Sequence, residues 1–299
     1  MAPRTATLRL ATLVVVAAGV LAAVGLGLGA GADTEPGHPR PIDDRALAGL
    51  PHPPGDDLEL VFSEDFDEPL DPDLWGRCHW WRAEACTIES NDELELYFAD
   101  NVRTGDEVLT LEARRETVRD PDGRAYPYSS GMISTGPPEY ETPARYAFTY
   151  GYVEARLRLP AGQGLWPAFW LLPADQESRP EIDVIETLGH RPDTAELHYH
   201  YIEADGTEAS VGHEWSDDDL ADGDWHEYAV DWRPGRITWI IDGRERWQVT
   251  GDAVSDEAMY LVLNLAVGGE WPGDPDEDTE FPATVEAEWI RVWRDPETS

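Results

Sequence analysis

The stretch YVEARLRL, Tyr152–Leu159, alternates without interruption: Val153, Ala155, Leu157 and Leu159 fall on one face, and Glu154, Arg156 and Arg158 on the other. Side chains of an extended chain point alternately to opposite sides, so this pattern predicts a strand with one face in a core and one toward water. A second stretch says how such strands are joined. Ile237–Ile241 (ITWII) runs into Asp242-Gly243 and continues as Arg244–Val249 (RERWQV). Asp-Gly between two such runs favours a two-residue hairpin turn. Arg233-Pro234-Gly235 marks another turn just ahead of it. From Leu58 onward the chain keeps this habit, with short β-rich runs between turn residues, no sustained 3.6-residue period and no internal repeat. The expected fold is all-β, an antiparallel sandwich or barrel.

Composition limits what such a domain binds. The chain has 299 residues, 61 acidic against 22 basic, for a net charge of −39, and every basic residue is arginine. Nucleic acid and anionic bilayers are excluded as partners, because phosphate binding needs clustered Lys and Arg. A neutral or cationic partner is expected. An aromatic content of 10% excludes intrinsic disorder, and the length suits one domain of roughly 200–250 residues. The acid excess also raises the expectation of a halophilic protein, against the plainer reading of a soluble acidic one.

Arg4 and Arg9 precede an uncharged apolar run, Leu10–Ala32, that ends in Ala30-Gly31-Ala32. This reads as a secretory signal peptide over 1–32 with a small-residue cleavage site. Left uncleaved, the same run is long enough to anchor the chain in a membrane. Residues 33–57, dense in Pro, Gly and Asp, read as a linker, 58–295 as the working domain and 296–299 as a tail. The expected localisation is extracellular, with no stable membrane association once the leader is removed. In that oxidising setting Cys78 and Cys86 are free to pair. Two buried thiols are the alternative, and a zinc site lacks its third and fourth ligands.

The candidate chemistry lies in EIDVIE, Glu181–Glu186. The pattern E-x-D-x-x-E is weak alone, and Glu203–Glu208 (EADGTE) matches it too. Context separates the copies. The second holds Asp205-Gly206, as a solvent-facing hairpin turn does, whereas the first is filled with Ile182, Val184 and Ile185, the residues of a half-buried strand. Alternation puts Glu181 and Asp183 on one face but sends Glu186 inward, a costly place for a charge. A β-bulge near Val184-Ile185 returns Glu186 to the acidic face. The outer α-carbons then lie roughly 13 Å apart and the two glutamate carboxyls about 6 Å apart, between the separations of retaining and inverting glycosidases. Paired-carboxylate glycoside hydrolysis is one reading, and a calcium site or an exposed acidic strand the other. In LWPAFWL, Leu165–Leu171, Trp166 and Trp170 are four apart and share a strand face. Two indoles facing alike make a platform for sugar rings, and Trp271, set among Gly, Pro and acids, is a third candidate; core packing is the alternative for each.

At this point the chain resembles glycoside hydrolase family 16, most closely its laminarinase-like branch of endo-β-1,3-glucanases. The resemblance spans residues 58–295 through ordered segments: VFSEDFDEPLDPDLW (61–75), YSSGMISTG (128–136), YGYVEARLRLPAGQGLWPAFWLLP (150–173), EIDVIETLG (181–189), the strand with His198 and His200, MYLVLNLAVGGEWPG (259–273) and VEAEWIRVW (285–293). It implies a jelly-roll sandwich of the concanavalin A-like kind, with a carbohydrate cleft across the concave sheet and a retaining mechanism. Glu181 is then the nucleophile, Glu186 the general acid/base and Asp183 the residue between them. Trp166, Trp170, His198, His200, Asn264 and Trp271 are the implied substrate-binding set. No cofactor is expected for catalysis, and the protein is expected to be a monomer acting on β-glucan.

The chain also departs from the family pattern. Pro180 stands where glycine usually precedes the first Glu, which a strand start tolerates. Met132 replaces a basic or polar residue, which puts a sugar contact in doubt. Glu288 replaces an Asp that in many relatives helps hold a structural calcium, so calcium near Glu288 stays open. Two other functions stay open as well: a related hydrolase on mixed-linkage glucan, agar or carrageenan, and a non-catalytic glucan-binding lectin of the same fold. The acid excess disfavours a sulfated substrate.

Overall fold

In the computed structural model, which describes residues 58–82 and 86–298, the chain is built almost entirely of strands. The expected leader (1–32) and linker (33–57) lie outside the described residues. The first half contributes β1 (Glu59–Glu64), β2 (Glu95–Tyr97), β3 (Val102–Gly105), β4 (Val108–Arg119), β5 (Ala125–Ser130), β6 (Met132–Ser134), β7 (Gly151–Arg158) and β8 (Leu165–Pro173). The second half contributes β9 (Glu181–Glu186), β10 (Thr194–Ile202), β11 (Glu208–Ser216), β12 (His226–Arg233), β13 (Arg236–Ile241), β14 (Arg244–Thr250), β15 (Met259–Val267) and β16 (Ala283–Arg294). Among the described residues the helical pieces are single 3-10 turns of three or four residues.

The strands form two sheets. The larger runs β14-β13-β12-β7-β16-β4-β5-β2, with β1 added on β16 and β3 on β4, and the smaller runs β11-β10-β9-β8-β15-β6. All the strand pairs are antiparallel except β2 with β5. The jelly-roll sandwich is therefore the architecture. Its main core lies between the sheets, where Val153, Ala155 and Leu157 of β7 join Leu165, Phe169 and Leu171 of β8, Ile182, Val184 and Ile185 of β9, and Leu261, Leu263 and Leu265 of β15. Burying such alternating faces against one another supplies the main stabilising free energy of a sandwich.

Both segments that point to the fold behave as their residues dictate. The core face of β7 holds Val153, Ala155 and Leu157, while Leu159 falls just beyond the strand's end. The opposite face is not solvated throughout: Tyr152 joins Ala229, Ile240 and Trp293 in a second apolar cluster, and Glu154 is buried among them. Asp242 and Gly243 both take positive φ, 51° and 68°, and Ile241 pairs directly with Arg244. That is the mirror-image turn whose twist suits a two-residue hairpin.

β15, by contrast, is buried along its whole length, with neighbours on both of its faces. A third apolar cluster of Cys86, Tyr97, Met132, Ala168, Trp170, Leu172, Tyr260 and Val262 lies apart from the inter-sheet core. Met132, fully buried there with the Cys86 sulfur 3.8 Å away, offers no side chain to a ligand. Cys78 and Cys86 are joined by a disulfide, with α-carbons 5.5 Å apart.

Candidate active site

The bulge expected at Val184-Ile185 is present and sets the site. Across β9, Asp183 pairs with Trp170 of β8 and His198 of β10, while Ile185 pairs with Phe169 and Glu186 with Ala168 and Glu196. Val184 is the extra residue. Ile182, Val184 and Ile185 consequently all enter the core, and Glu181, Asp183 and Glu186 all line one groove of about 710 Å³. The bulge is also held from behind. Trp239 of the larger sheet, wholly buried, donates its indole N–H across the core to the Asp183 carbonyl at 2.7 Å. The second acidic hexapeptide forms the exposed turn between β10 and β11, closed by Glu203–Thr207 and Gly206–Glu203 backbone bonds.

Each carboxylate has its own company. Glu186 accepts the Trp166 indole N–H at Oε1 (3.0 Å) and lies 2.9 Å from His198 Nδ1 at Oε2. His200 Nε2 stands 3.3 Å from Asp183 Oδ2 and 3.8 Å from Glu181 Oε1. Arg179 Nη1 donates to Glu181 Oε2 at 2.9 Å. His198 fits because β11 presents Gly212 opposite it; a Cβ there would lie 2.3 Å from the ring's Cδ2.

Burial drives the protonation behaviour. It pushes Glu181 up to about 7; the charge of Glu186 adds to this, while Arg179, His198 and a hydrogen bond with Asp183 oppose it. Burial also raises Asp183 well above the carboxylate range, and the neighbouring Glu181 and Glu186 charges raise it further. Asp183 therefore holds the proton of this pair and donates it in a hydrogen bond to Glu181. At His198 burial disfavours the charge, but the hydrogen bond to Glu186 and the charges of Glu186, Glu196 and Glu181 outweigh it and leave the pKa raised. At His200 burial and the charges of Arg179 and His198 lower it to about 4, so that ring is neutral near pH 7.

All six expected sugar-contact residues, Trp166, Trp170, His198, His200, Asn264 and Trp271, line the groove. The aromatic arrangement differs from the platform expected of Trp166 and Trp170. Trp170 is only 8% exposed and joins the covered cluster, with its indole N–H fixed on Asn264 Oδ1 at 2.8 Å, while Asn264 Nδ2 donates to the Tyr97 hydroxyl at 3.0 Å. Trp166 pairs instead with Trp271, 40% exposed, at a centroid distance of 5.3 Å and an angle of 90°. The two open indoles make a right-angled corner beside Glu186. Trp170 is thus both groove lining and part of an apolar cluster with Cys86, Tyr97 and Met132, with the His79 ring 5.9 Å away.

The loop bearing Trp271 is fastened from below. Leu94 N–H donates to Val267 O (2.9 Å), Val267 N–H to the buried Glu95 carboxylate (2.8 Å) and Glu270 N–H to Asn91 O (3.0 Å). Gly269, at φ 114°, allows that approach, since a Cβ there would sit 2.7 Å from Asn91 O.

Several groove residues were not marked by any sequence pattern. Trp80 and Trp81, between the bridged cysteines, form part of the wall, and fully buried His79 stacks on Trp81 at 4.2 Å. Burial alone lowers the pKa of His79 to about 3. Their one sequence signal was position, inside the short loop that Cys78 and Cys86 close. Arg179 gave none beyond its place two residues before Glu181.

The calcium expectation at Glu288 does not fit the donors present. Glu288 projects from β16 to the guanidinium of Arg156, and no cluster of potential ligands among the described residues includes it. Three-donor clusters occur in the groove, as Glu181, Asp183 and His200 and as Asp183, Glu186 and His198. In the second cluster His198 is hydrogen-bonded to Glu186, and in the first His200 stands 3.3 Å from Asp183 and 3.8 Å from Glu181.

The profile of glycosyl hydrolases family 16 matches residues 82–291. A beta-glucanase of Rhodothermus marinus is 32% identical over 268 residues, 79% of this chain and 85% of that protein. Glucan endo-1,3-beta-glucosidase A1 of Niallia circulans is 30% identical over 75% of this chain, which spans 34% of that longer protein. Among solved structures, the laminarinase catalytic domain of Thermotoga maritima superposes with a TM-score of 0.68 at 32% identity, covering 80% of this chain and 99% of that one.

Proposed function

Because the chain belongs to glycosyl hydrolase family 16, we propose that its O-glycosyl hydrolase activity is directed at internal β-1,3 linkages of glucan and proceeds by a retaining double displacement. The observation that carries the mechanism is the bulge in β9, which brings Glu181, Asp183 and Glu186 to one groove wall in different company.

In the first step the Glu181 carboxylate attacks the anomeric carbon while Glu186, as the acid, gives its proton to the glycosidic oxygen. The C–O bond breaks, the leaving sugar departs as a neutral alcohol, and a glycosyl ester on Glu181 remains. In the second step Glu186, now a carboxylate, takes a proton from water. The water oxygen attacks the same carbon and Glu181 leaves as a carboxylate, so configuration is retained and Glu186 is again protonated. Asp183 holds a proton against Glu181, which stabilises the nucleophile as an anion despite its burial. The 2.9 Å hydrogen bond with His198 and the indole N–H of Trp166 hold the Glu186 carboxyl in place for its proton transfers. The Trp166–Trp271 corner gives a sugar ring one indole face and one indole edge beside Glu186. Carboxylates supply nucleophile, acid and base, so no cofactor enters the chemistry.

The β-1,3 linkage is supported by the Niallia and Thermotoga relatives, whose names specify endo-1,3-glucosidase and laminarinase. We propose export as well, supported by the leader-like Leu10–Ala32 run and by the disulfide of Cys78 and Cys86. Product analysis on laminarin, lichenan, agarose and carrageenan tests the substrate. A ladder of oligosaccharides from laminarin is expected; preferential cleavage of agarose or carrageenan would overturn the proposal.

A further inference from the structure

Arg179 is the only arginine among the described residues that line the groove, and it stands against the residue assigned as nucleophile, with Nη1 2.9 Å from Glu181 Oε2. Arg179 lies two residues before β9, next to Pro180, and its guanidinium turns back onto the first carboxylate of the strand. The pair belongs to the wall of the groove: the Arg179 side chain is 25% exposed and that of Glu181 18%. The same guanidinium nitrogen donates to Ser178 O at 2.6 Å, which restricts its rotation.

The need for a cation follows from what else faces Glu181. Its own strand contributes two acids, Asp183 and Glu186; β10 contributes His198 and His200; and the Tyr260 hydroxyl of β15 faces it as well. His200 is driven toward neutrality, and the charge of His198 is engaged first by Glu186. Burial and the Glu186 charge favour a protonated Glu181, the Asp183 hydrogen bond favours the anion, and a fixed positive charge at Arg179 adds to the second side. A protonated carboxyl cannot attack the anomeric carbon.

We propose that Arg179 is a positioning residue that keeps Glu181 ionised and anchors one of its oxygens for attack. The inference rests on the assignment of Glu181 as nucleophile. An opposite charge at hydrogen-bond distance lowers a carboxyl by about one to three pH units, and the partial exposure of this pair points to the lower end.

The test is the pH dependence of kcat/KM on laminari-oligosaccharides for the wild type, Arg179→Gln and Arg179→Lys, with Glu181→Ala measured alongside with and without azide. Arg179→Gln should move the acid limb upward by about one unit, which is about a tenfold loss on that limb. Arg179→Lys should bring the limb most of the way back. A purely structural role would lower the whole profile without displacing it. Arg179→Met, which keeps the apolar stem, replaces Gln if the amide unsettles the loop. An unmoved acid limb, with Glu181→Ala inactive and rescued by azide, overturns the role of Arg179 and leaves the nucleophile in place. Unimpaired hydrolysis by Glu181→Ala overturns both.

Discussion

Replacing Trp239 with phenylalanine probes how the larger sheet governs the acidic wall of the smaller one. The indole N–H reaches the Asp183 carbonyl at 2.7 Å, at the residue where β9 leaves regular pairing with both neighbours. Phenylalanine fills most of the space but donates nothing. A buried carbonyl left without its partner costs about 1–3 kcal/mol, and the volume lost beside Trp247, 4.4 Å away between ring centroids, adds on the order of 1 kcal/mol. The expected destabilisation is about 2–4 kcal/mol, a large share of a typical domain's stability. Because this bond fixes the residue that sets Asp183 and Glu186 on one face, kcat should also fall by about tenfold or more, as small misplacements of reacting groups do. Trp232→Phe is the control. Trp232 is equally buried in the same sheet, but its N–H goes to Ser255 O at 3.1 Å. Urea unfolding with unchanged m-values measures the first effect and steady-state kinetics on laminarin the second. If Trp239→Phe loses no more kcat than Trp232→Phe, the coupling between the sheets is refuted.

Glu154, raised to about 7 by burial first and then by the Glu227 charge, should limit alkaline stability. Its folded pKa lies above the unfolded value, so its contribution is complete below about pH 4 and is lost as pH rises through 7. Glu154→Gln should therefore raise Tm at pH 8, by about 2 kcal/mol of stability, and change little at pH 4; equal effects at both pH values would contradict this. A net charge of −39 should make Tm climb between 0.01 and 1 M salt, as the Debye length falls from about 30 to about 3 Å; a flat or falling melting curve series removes the halophilic reading. Reducing the Cys78–Cys86 bridge should cost about 2 kcal/mol and raise KM, because Trp80 and Trp81 of the closed loop line the groove. Alkylation and intact-mass measurement without reductant checks the bridge, and two modified thiols would refute it.

What the sequence disclosed and what it withheld divide along sequence distance. The alternation of Tyr152–Leu159, the Asp242-Gly243 turn and the extra residue in Glu181–Glu186 are local, and each is visible because strand geometry leaves a period-two trace. The covered face around Glu154 was not visible, because its neighbours Arg291 and Glu227 come from strands far along the chain. For the same reason Trp166 and Trp170 suggested one platform by spacing alone. Which of them stays open depends on Trp271, Asn264 and Tyr97, none of them nearby in sequence. The wall made by Trp80 and Trp81, with His79 stacked behind it, depends on a disulfide that the sequence permitted without requiring. Glu288 shows the converse: an acid for which the family resemblance suggested calcium is engaged by Arg156 on the neighbouring strand.

If Glu181 is the nucleophile, it becomes covalently linked to the sugar during each turnover. A 2-fluoro-glucoside of β-1,3-linked glucose with an activated leaving group slows the second step and lets the intermediate accumulate. Peptide mass spectrometry of the inactivated protein should then find the glycosyl group on Glu181, and Glu186→Ala, whose first step needs no acid with such a leaving group, should carry it too. A label on Glu186 or Asp183, or a label that persists in Glu181→Ala, would rule out Glu181 as the nucleophile.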